Sequence, residues 1–213
     1  MKNRPGPSIS ILADIILIFQ SSKLAGWEEI SHKTISRTLY FVSTLYHYFH
    51  KDKNNIFKDY KFFMEKDYPR LDHLDEYLTT LEGKNIIIKK NNQFMLNKSM
   101  IESHDQYFRV PFFTNRRIWI SLVIKILSIY GEDTIYDFIF RDPEFSYNND
   151  RNEYNILMNM DSKSQTYITL EHFHAAFEEA LKLQNRESLS IERYVILYFE
   201  YIFSTIIKTK ELL

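Results

Sequence analysis

The chain has 213 residues, of which 45% are hydrophobic and 26% are charged, and its formal net charge is -1. This composition is typical of a globular protein with a sizeable core, and the charge excludes a global electrostatic attraction to nucleic acid or to an anionic membrane. Cysteine is absent, which excludes disulfides, thiolate nucleophiles and cysteine-ligated metal sites and fits a cytoplasmic protein.

Helices are predicted along most of the chain, because apolar residues recur at intervals of three and four and are interrupted by Gly and Pro. The predicted ranges are 9–21, 27–49, 71–81, 116–130, 133–140, 169–184 and 191–208. Between them, 56–64 and 153–160 fit a helix or a strand, whereas 101–114 and 146–152 are predicted to be a linker and a loop. Gly83 is expected just beyond the third helix, at the C′ position that needs a positive φ.

Residues 71–97 predict a particular architecture. A stripe of leucines marks the helix, and the segments 86–90 and 93–97 flank Asn91-Asn92, a pair that suits a type I′ hairpin turn. Three helices followed by a hairpin is the order of a winged-helix unit. The predicted fold is therefore mainly α, with a winged-helix domain over 9–100 and a helical C-terminal region over 101–213, packed together as one unit.

The third helix of this unit has the wrong charge for a helix that reads DNA. It carries or adjoins Asp72, Asp75, Glu76 and Glu82, against Arg70 alone. Carboxylates facing phosphates would oppose sequence-specific recognition, so this helix is expected to bind protein. Asp72, Asp75 and Glu76 are the candidate interface residues.

The hairpin that follows is basic. Its lysines are Lys84, Lys89, Lys90 and Lys98. Contacts to a nucleic-acid backbone require charge but no base reading, so these lysines are the candidates for non-specific DNA contact.

The last predicted helix is apolar on almost all sides. Such a helix is either central to a core or seated in a partner, and both interpretations remain open from the sequence. Tyrosine suits interfaces because its ring buries area while its hydroxyl stays paired. Tyr194, Tyr198 and Tyr201 are therefore further interface candidates.

Few residues predict chemistry. The four glycines stand too far apart for a phosphate-binding loop. His172, His174 and Glu178 could ligate a metal, but an exposed helix face accounts for them. Asp142, Glu144, Asp161 and Lys163 could be arranged as a nuclease site, but the surrounding sequence lacks the apolar strands that would display them. We expect no enzymatic activity, no cofactor or metal, no small-molecule substrate and no membrane span.

One stretch resembles a known family. Residues 35–97 contain a TLYF helix, a charged linker, a Y-P-x-L-x-x-L-x-x-x-L helix, the motif L-E-x-K-x-I-I and a wing. This pattern resembles the small middle component of three-component defence systems built on SMC-like ABC ATPases, the class that includes Lamassu. The likeness covers at most about half of the chain, residues 9–100, and Gly83 is displaced from the position usual for the turn glycine.

The resemblance implies a non-catalytic subunit that binds an SMC-like ATPase and a nuclease effector in bacterial defence against phage or plasmid DNA. The alternative is a free-standing winged-helix transcriptional regulator that binds DNA.

Overall fold

The structure is a computed structural model that describes residues 8–51, 55–97 and 111–211. Within these ranges the chain is mainly helical, with two small antiparallel sheets, which confirms the predicted fold class. The helices are α1 (Ile9–Leu24), α2 (His32–Phe49), α3 (Leu74–Gly83), α4 (Pro111–Tyr130), α5 (Thr134–Arg141), α6 (Pro143–Asp150), α7 (Gln165–Leu183) and α8 (Ile191–Glu211). The strands are β1 (Ile30–Ser31), β2 (Phe62–Met64), β3 (Pro69–Leu71), β4 (Ile87–Lys90) and β5 (Gln93–Leu96).

The first part of the chain has the arrangement of a winged-helix unit. Strand β1 lies between α1 and α2 and pairs with β5, so the three-stranded sheet has the order β1-β5-β4. The β4–β5 hairpin is the wing, and α3 immediately precedes it. A second hairpin, β2–β3, is inserted between α2 and α3.

The turn of the wing follows from its sequence. Asn91 and Asn92 have φ angles of 48° and 62°, as a type I′ turn requires, and Asn tolerates this left-handed region better than most residues. The segments predicted as strands on either side of the turn pair in register, Lys90 with Gln93 and Ile87 with Leu96. The hairpin prediction is confirmed.

The ends of α3 differ from the prediction. Leu71 lies in β3, where its N–H donates to Oγ of Ser36 at 2.7 Å, and these tertiary bonds delay the start of the helix to Leu74. Gly83 was expected to have a positive φ after the helix, but it is the last helical residue, and Asn85 takes the left-handed conformation with φ 59°. Asparagine performs the role expected of glycine.

Helix α2 also begins later than predicted. Oγ of Ser31 accepts a hydrogen bond from the N–H of Thr34 at 3.0 Å and caps the helix, which leaves Ile30 to pair in β1.

The predicted loop 146–152 is largely helical. The side chain of Asp142 accepts from the N–H of Phe145 at 3.0 Å, and Pro143 occupies the first turn, so a cap and a proline start α6 where a loop was expected. In the predicted linker 101–114, residues 111–114 belong to α4, and the rest lies outside the described residues.

One hydrophobic core joins the two parts of the chain. Helix α4 packs along α1 and α2, while α2 also contacts α5 and α7. The ring of Phe199 on α8 contacts Phe41 on α2 and Phe138 on α5, with centroids 5.3 and 5.4 Å apart. Helix α8 is thus a core helix of the chain itself, the first of its two sequence interpretations.

Candidate interaction surfaces

The exposed face of α3 is acidic. Asp75, Glu76 and Glu82 are exposed on it, and the helix contains no Lys or Arg. Asp72 is not part of this face, because it lies half-buried in the turn before the helix, where its N–H donates to the carbonyl of Lys61 at 2.8 Å. We define the acidic face of α3 as Asp75, Glu76 and Glu82.

Histidines near this face do not neutralise it fully. Nε2 of His32 on α2 lies 3.2 Å from Oδ1 of Asp75 without hydrogen-bonding geometry. Burial lowers the pKa of His32, so its imidazole is neutral at pH 7 and adds no positive charge beside Asp75. Glu76 lies 3.0 Å from Nδ1 of His73, which is half-exposed.

The wing is cationic, and two of its lysines already contact neighbouring residues of the chain. Lys84, Lys89 and Lys90 are exposed, and Lys98 lies outside the described residues. Nζ of Lys90 lies 3.7 Å from Glu29, and Lys89 lies over the ring of Phe94 at 5.5 Å. Exposed contacts of this kind contribute little energy, so these lysines can be redirected to another anion at small cost.

Two of the three tyrosine predictions are wrong. Tyr194 and Tyr198 are 2% and 1% exposed and belong to the interior of the chain, whereas Tyr201 is 49% exposed. The hydroxyl of Tyr194 donates to Glu178 on α7. Because α8 is apolar on nearly every side, its sequence could not show which side would meet α2, α5 and α7.

Each carboxylate considered for nuclease chemistry makes structural hydrogen bonds of its own. Asp142 is fully buried and accepts from the hydroxyls of Tyr40 and Thr166 at 2.7 and 2.8 Å. Burial raises its pKa to about 6 against the pull of these hydrogen bonds. Glu144 accepts from the N–H of Gln165 at 2.7 Å. Asp161 is exposed and accepts from the N–H of Lys163, so it completes a local turn.

The histidine cluster on α7 lines a cavity but does not form a metal site. Nε2 of His174 lies 3.9 Å from Oε1 of Glu178, while His172 is exposed on another side of the helix. Glu178 also accepts from Ser188 at 2.7 Å, so hydroxyl donors hold its carboxylate. The cavity measures about 390 Å³, and Tyr48 and Lys51 contribute to its wall. Within the part of the chain that the structure describes, no three His, Asp or Glu side chains gather around a common metal position.

A second exposed surface was not predicted. Leu24 at the end of α1 and Ile118 and Ile129 on α4 are 89%, 61% and 70% exposed. The sequence of α4 is apolar along most of its length, which hid a stripe formed by Ile118, Leu122, Lys125 and Ile129 that the other described helices leave largely exposed. Its spacing of four, three and four was the available signal.

Comparisons with known proteins give no relative. No protein-family model, no curated protein and no solved structure matches this chain. None of the helices in the described ranges combines the length and hydropathy that crossing a membrane demands.

Proposed function

We propose that this chain is a non-catalytic accessory subunit of an SMC-like ABC-ATPase and nuclease complex that acts in the bacterial cytoplasm against phage or plasmid DNA. The observation that carries the proposal is the acidic face of α3, on the helix that a DNA-reading winged helix would insert into a groove. The pattern in residues 35–97 that resembles the middle component of such systems supplies the partners.

The charges of α3 favour a protein partner. A winged helix that reads bases must bring its recognition helix close to phosphates, and Asp75, Glu76 and Glu82 would each be repelled there. A basic surface on a partner protein would instead be attracted, which speeds association and selects the partner. The acidic face of α3 is thus the surface of this chain that we propose binds the ATPase or the nuclease.

The wing has a separate role in this proposal. Its exposed lysines Lys84, Lys89 and Lys90 lie on the segment that follows α3 and carry the opposite charge. They can contact phosphates without reading sequence, as a subunit that helps an ATPase hold DNA would need.

The test is assembly of the complex from its native operon. We expect genes for a long coiled-coil ATPase and a nuclease beside this one, and their products should co-purify with the chain. Changing Asp75, Glu76 and Glu82 together to Ala should weaken assembly about tenfold, because rim charges act mainly on association. The matched control changes the exposed residues Asp150, Glu179 and Glu187 to Ala and should leave assembly unchanged.

Intact assembly combined with new sequence-specific DNA binding in the α3 variant would reverse the assignment of this surface.

The lysines of the wing favour a second candidate function, a free-standing winged-helix regulator. This function predicts a symmetric homodimer that binds duplex DNA with a steep salt dependence. Each phosphate-contacting lysine removed, for example Lys89→Ala, should then reduce the slope of log affinity against log salt by about 1. A chain that stays monomeric and binds DNA without sequence preference would count against the regulator.

A further inference from the structure

Helix α4 has a mainly aliphatic stripe that the other described helices leave largely exposed. Ile118, Leu122, Lys125 and Ile129 follow one another at intervals of four, three and four, which places them on one side of the helix. Ile118, Lys125 and Ile129 are exposed and Leu122 is half-buried. The stripe is about 17 Å long at 1.5 Å per residue, the length of three helical turns.

A groove lies beside this stripe and shares Lys125 with it. Helix α1 lies beside α4, and the hydroxyls of Ser21 and Ser121 are 2.9 Å apart. The groove between the two helices measures about 360 Å³ and is lined by Ser21, Leu24, Ala25, Ser121, Lys125 and Ser128. Small residues allow a third helix to approach closely, and Leu24 provides a large apolar contact at the rim.

The exposed charges on α1 and α4 themselves are positive, and the exposed carboxylate of Glu28 lies beyond the end of α1. Helix α4 contains no Asp or Glu, and the one carboxylate of α1, Asp14, is buried against Arg116. Lys125 lines the groove and has no ion-pair partner among the described residues, whereas Lys23, also exposed, lines a different cavity with Glu28. An occupant with carboxylates beside its apolar residues would therefore complement the groove, and a basic one would be repelled.

We propose that the face formed by α1 and α4 docks an amphipathic helix of a partner protein that carries acidic residues opposite Lys125. A second copy of this chain fits less well, since antiparallel pairing of two stripes would bring Lys125 close to its own counterpart. The inference rests on the proposed function for the source of the partner, and it assigns that partner a docking surface separate from the acidic face of α3.

The test is site-specific photocrosslinking in cells that express the full chain with its native operon. p-Benzoylphenylalanine replaces Ile118 or Ile129 in two variants, and Leu183, which is 81% exposed on α7, in the control. We expect crosslinks from positions 118 and 129, at least fivefold above the control, to one helical segment of another protein with Asp or Glu within one turn of the crosslinked residue. Lys125→Glu should reduce the crosslink about tenfold, and reversal of the facing acidic residue to Lys should restore it.

Each possible outcome either supports or overturns the inference. A crosslink to a second copy of this chain, a crosslink to a segment without acidic residues, or a yield equal to that of the control overturns the inference. If the ATPase and nuclease still co-purify in that case, the proposed function stands without it. A charge-reversible crosslink to a protein that is neither of them supports the docking site, and the absence of both from the purified complex would then remove the proposed function.

Discussion

Two buried carboxylates join the N-terminal and C-terminal parts of the chain, and the structure stabilises their charges in different ways. Asp14 on α1 receives two hydrogen bonds from the guanidinium of Arg116 on α4, at 2.7 and 2.5 Å, and a third from the hydroxyl of Tyr60. Asp142, just before α6, receives only neutral donors, from Tyr40 on α2, from Thr166 on α7 and from a backbone N–H.

The two carboxylates differ in the groups that offset the free-energy cost of burying their charge. Burial raises the pKa of both carboxyls, and at Asp14 the hydrogen bonds and charge of Arg116 oppose that rise. No cation pairs with Asp142 among the described residues, so hydroxyl and amide dipoles must stabilise its charge alone. The stability of the contact between α1 and α4, which Asp14 and Arg116 form, should therefore depend on the ion pair. The stability of the contact among α2, α6 and α7, which Asp142 forms, should depend on pH.

The largest expected effect comes from removing the partner of Asp14. Arg116→Met should lower the free energy of unfolding by about 3–5 kcal/mol at pH 7, because a buried carboxylate loses its counter-charge. The measurement is urea-induced unfolding.

The control is the double variant Asp14→Asn with Arg116→Met, which removes both charges and should lose markedly less. Equal losses in the single and double variants would show that shape, not charge, holds this contact together.

The second prediction concerns the pH dependence of Asp142. Its pKa is about 6 in the folded state against an ordinary value of 3.8, so the folded state binds a proton that the unfolded state releases earlier. Its contribution to stability is present below pH 4 and is lost as the pH rises to about 6. At about 1.4 kcal/mol per pKa unit, the loss is about 3 kcal/mol.

Asp142→Asn keeps a capping oxygen for α6 and cannot ionise, so it should remove this pH dependence. Unfolding of both proteins at pH 4, 5, 6 and 7 measures the difference in their free energies. A constant difference across this range would mean that the neutral donors hold the carboxylate charged as well as an ion pair would.

The smallest effects come from single hydroxyls. Tyr40→Phe should cost about 2 kcal/mol at pH 7, because Asp142 loses one of few donors, and Tyr60→Phe about 1 kcal/mol, because Arg116 still holds Asp14. Thermal and urea unfolding at pH 7 should rank the variants in this order. The reverse ranking would show that Arg116 does not protect Asp14.

Local features of the fold could be predicted from the sequence. The wing depends on a two-residue turn that Asn91 and Asn92 make favourable by themselves. The acidic face of α3 depends on which residues share a helix side, and helical periodicity gives that directly. Strand β1 was missed because two residues carry no periodic signal and are defined only by pairing with β5.

Both carboxylate contacts and the correct assignment of the tyrosines required long-range contacts. Arg116 lies 102 positions from Asp14, and Tyr40 lies 102 positions from Asp142, so nothing local to any of these residues predicts the pairs. Tyr194 and Tyr198 fit an interface as well as a core when α8 is considered alone. Their burial was decided by the positions of α2 and α7.

The sequence by itself determined the helical character, the winged-helix order and the opposite charges of α3 and the wing, because each depends on residues a few positions apart. Tertiary structure alone decided which apolar surfaces remained exposed. Helices α4 and α8 are both apolar on most sides, and the packing of their neighbours buries Tyr198 while it leaves Ile118 and Ile129 exposed. Apolar burial has no preferred direction, so the choice between core and docking surface belongs to the assembled fold.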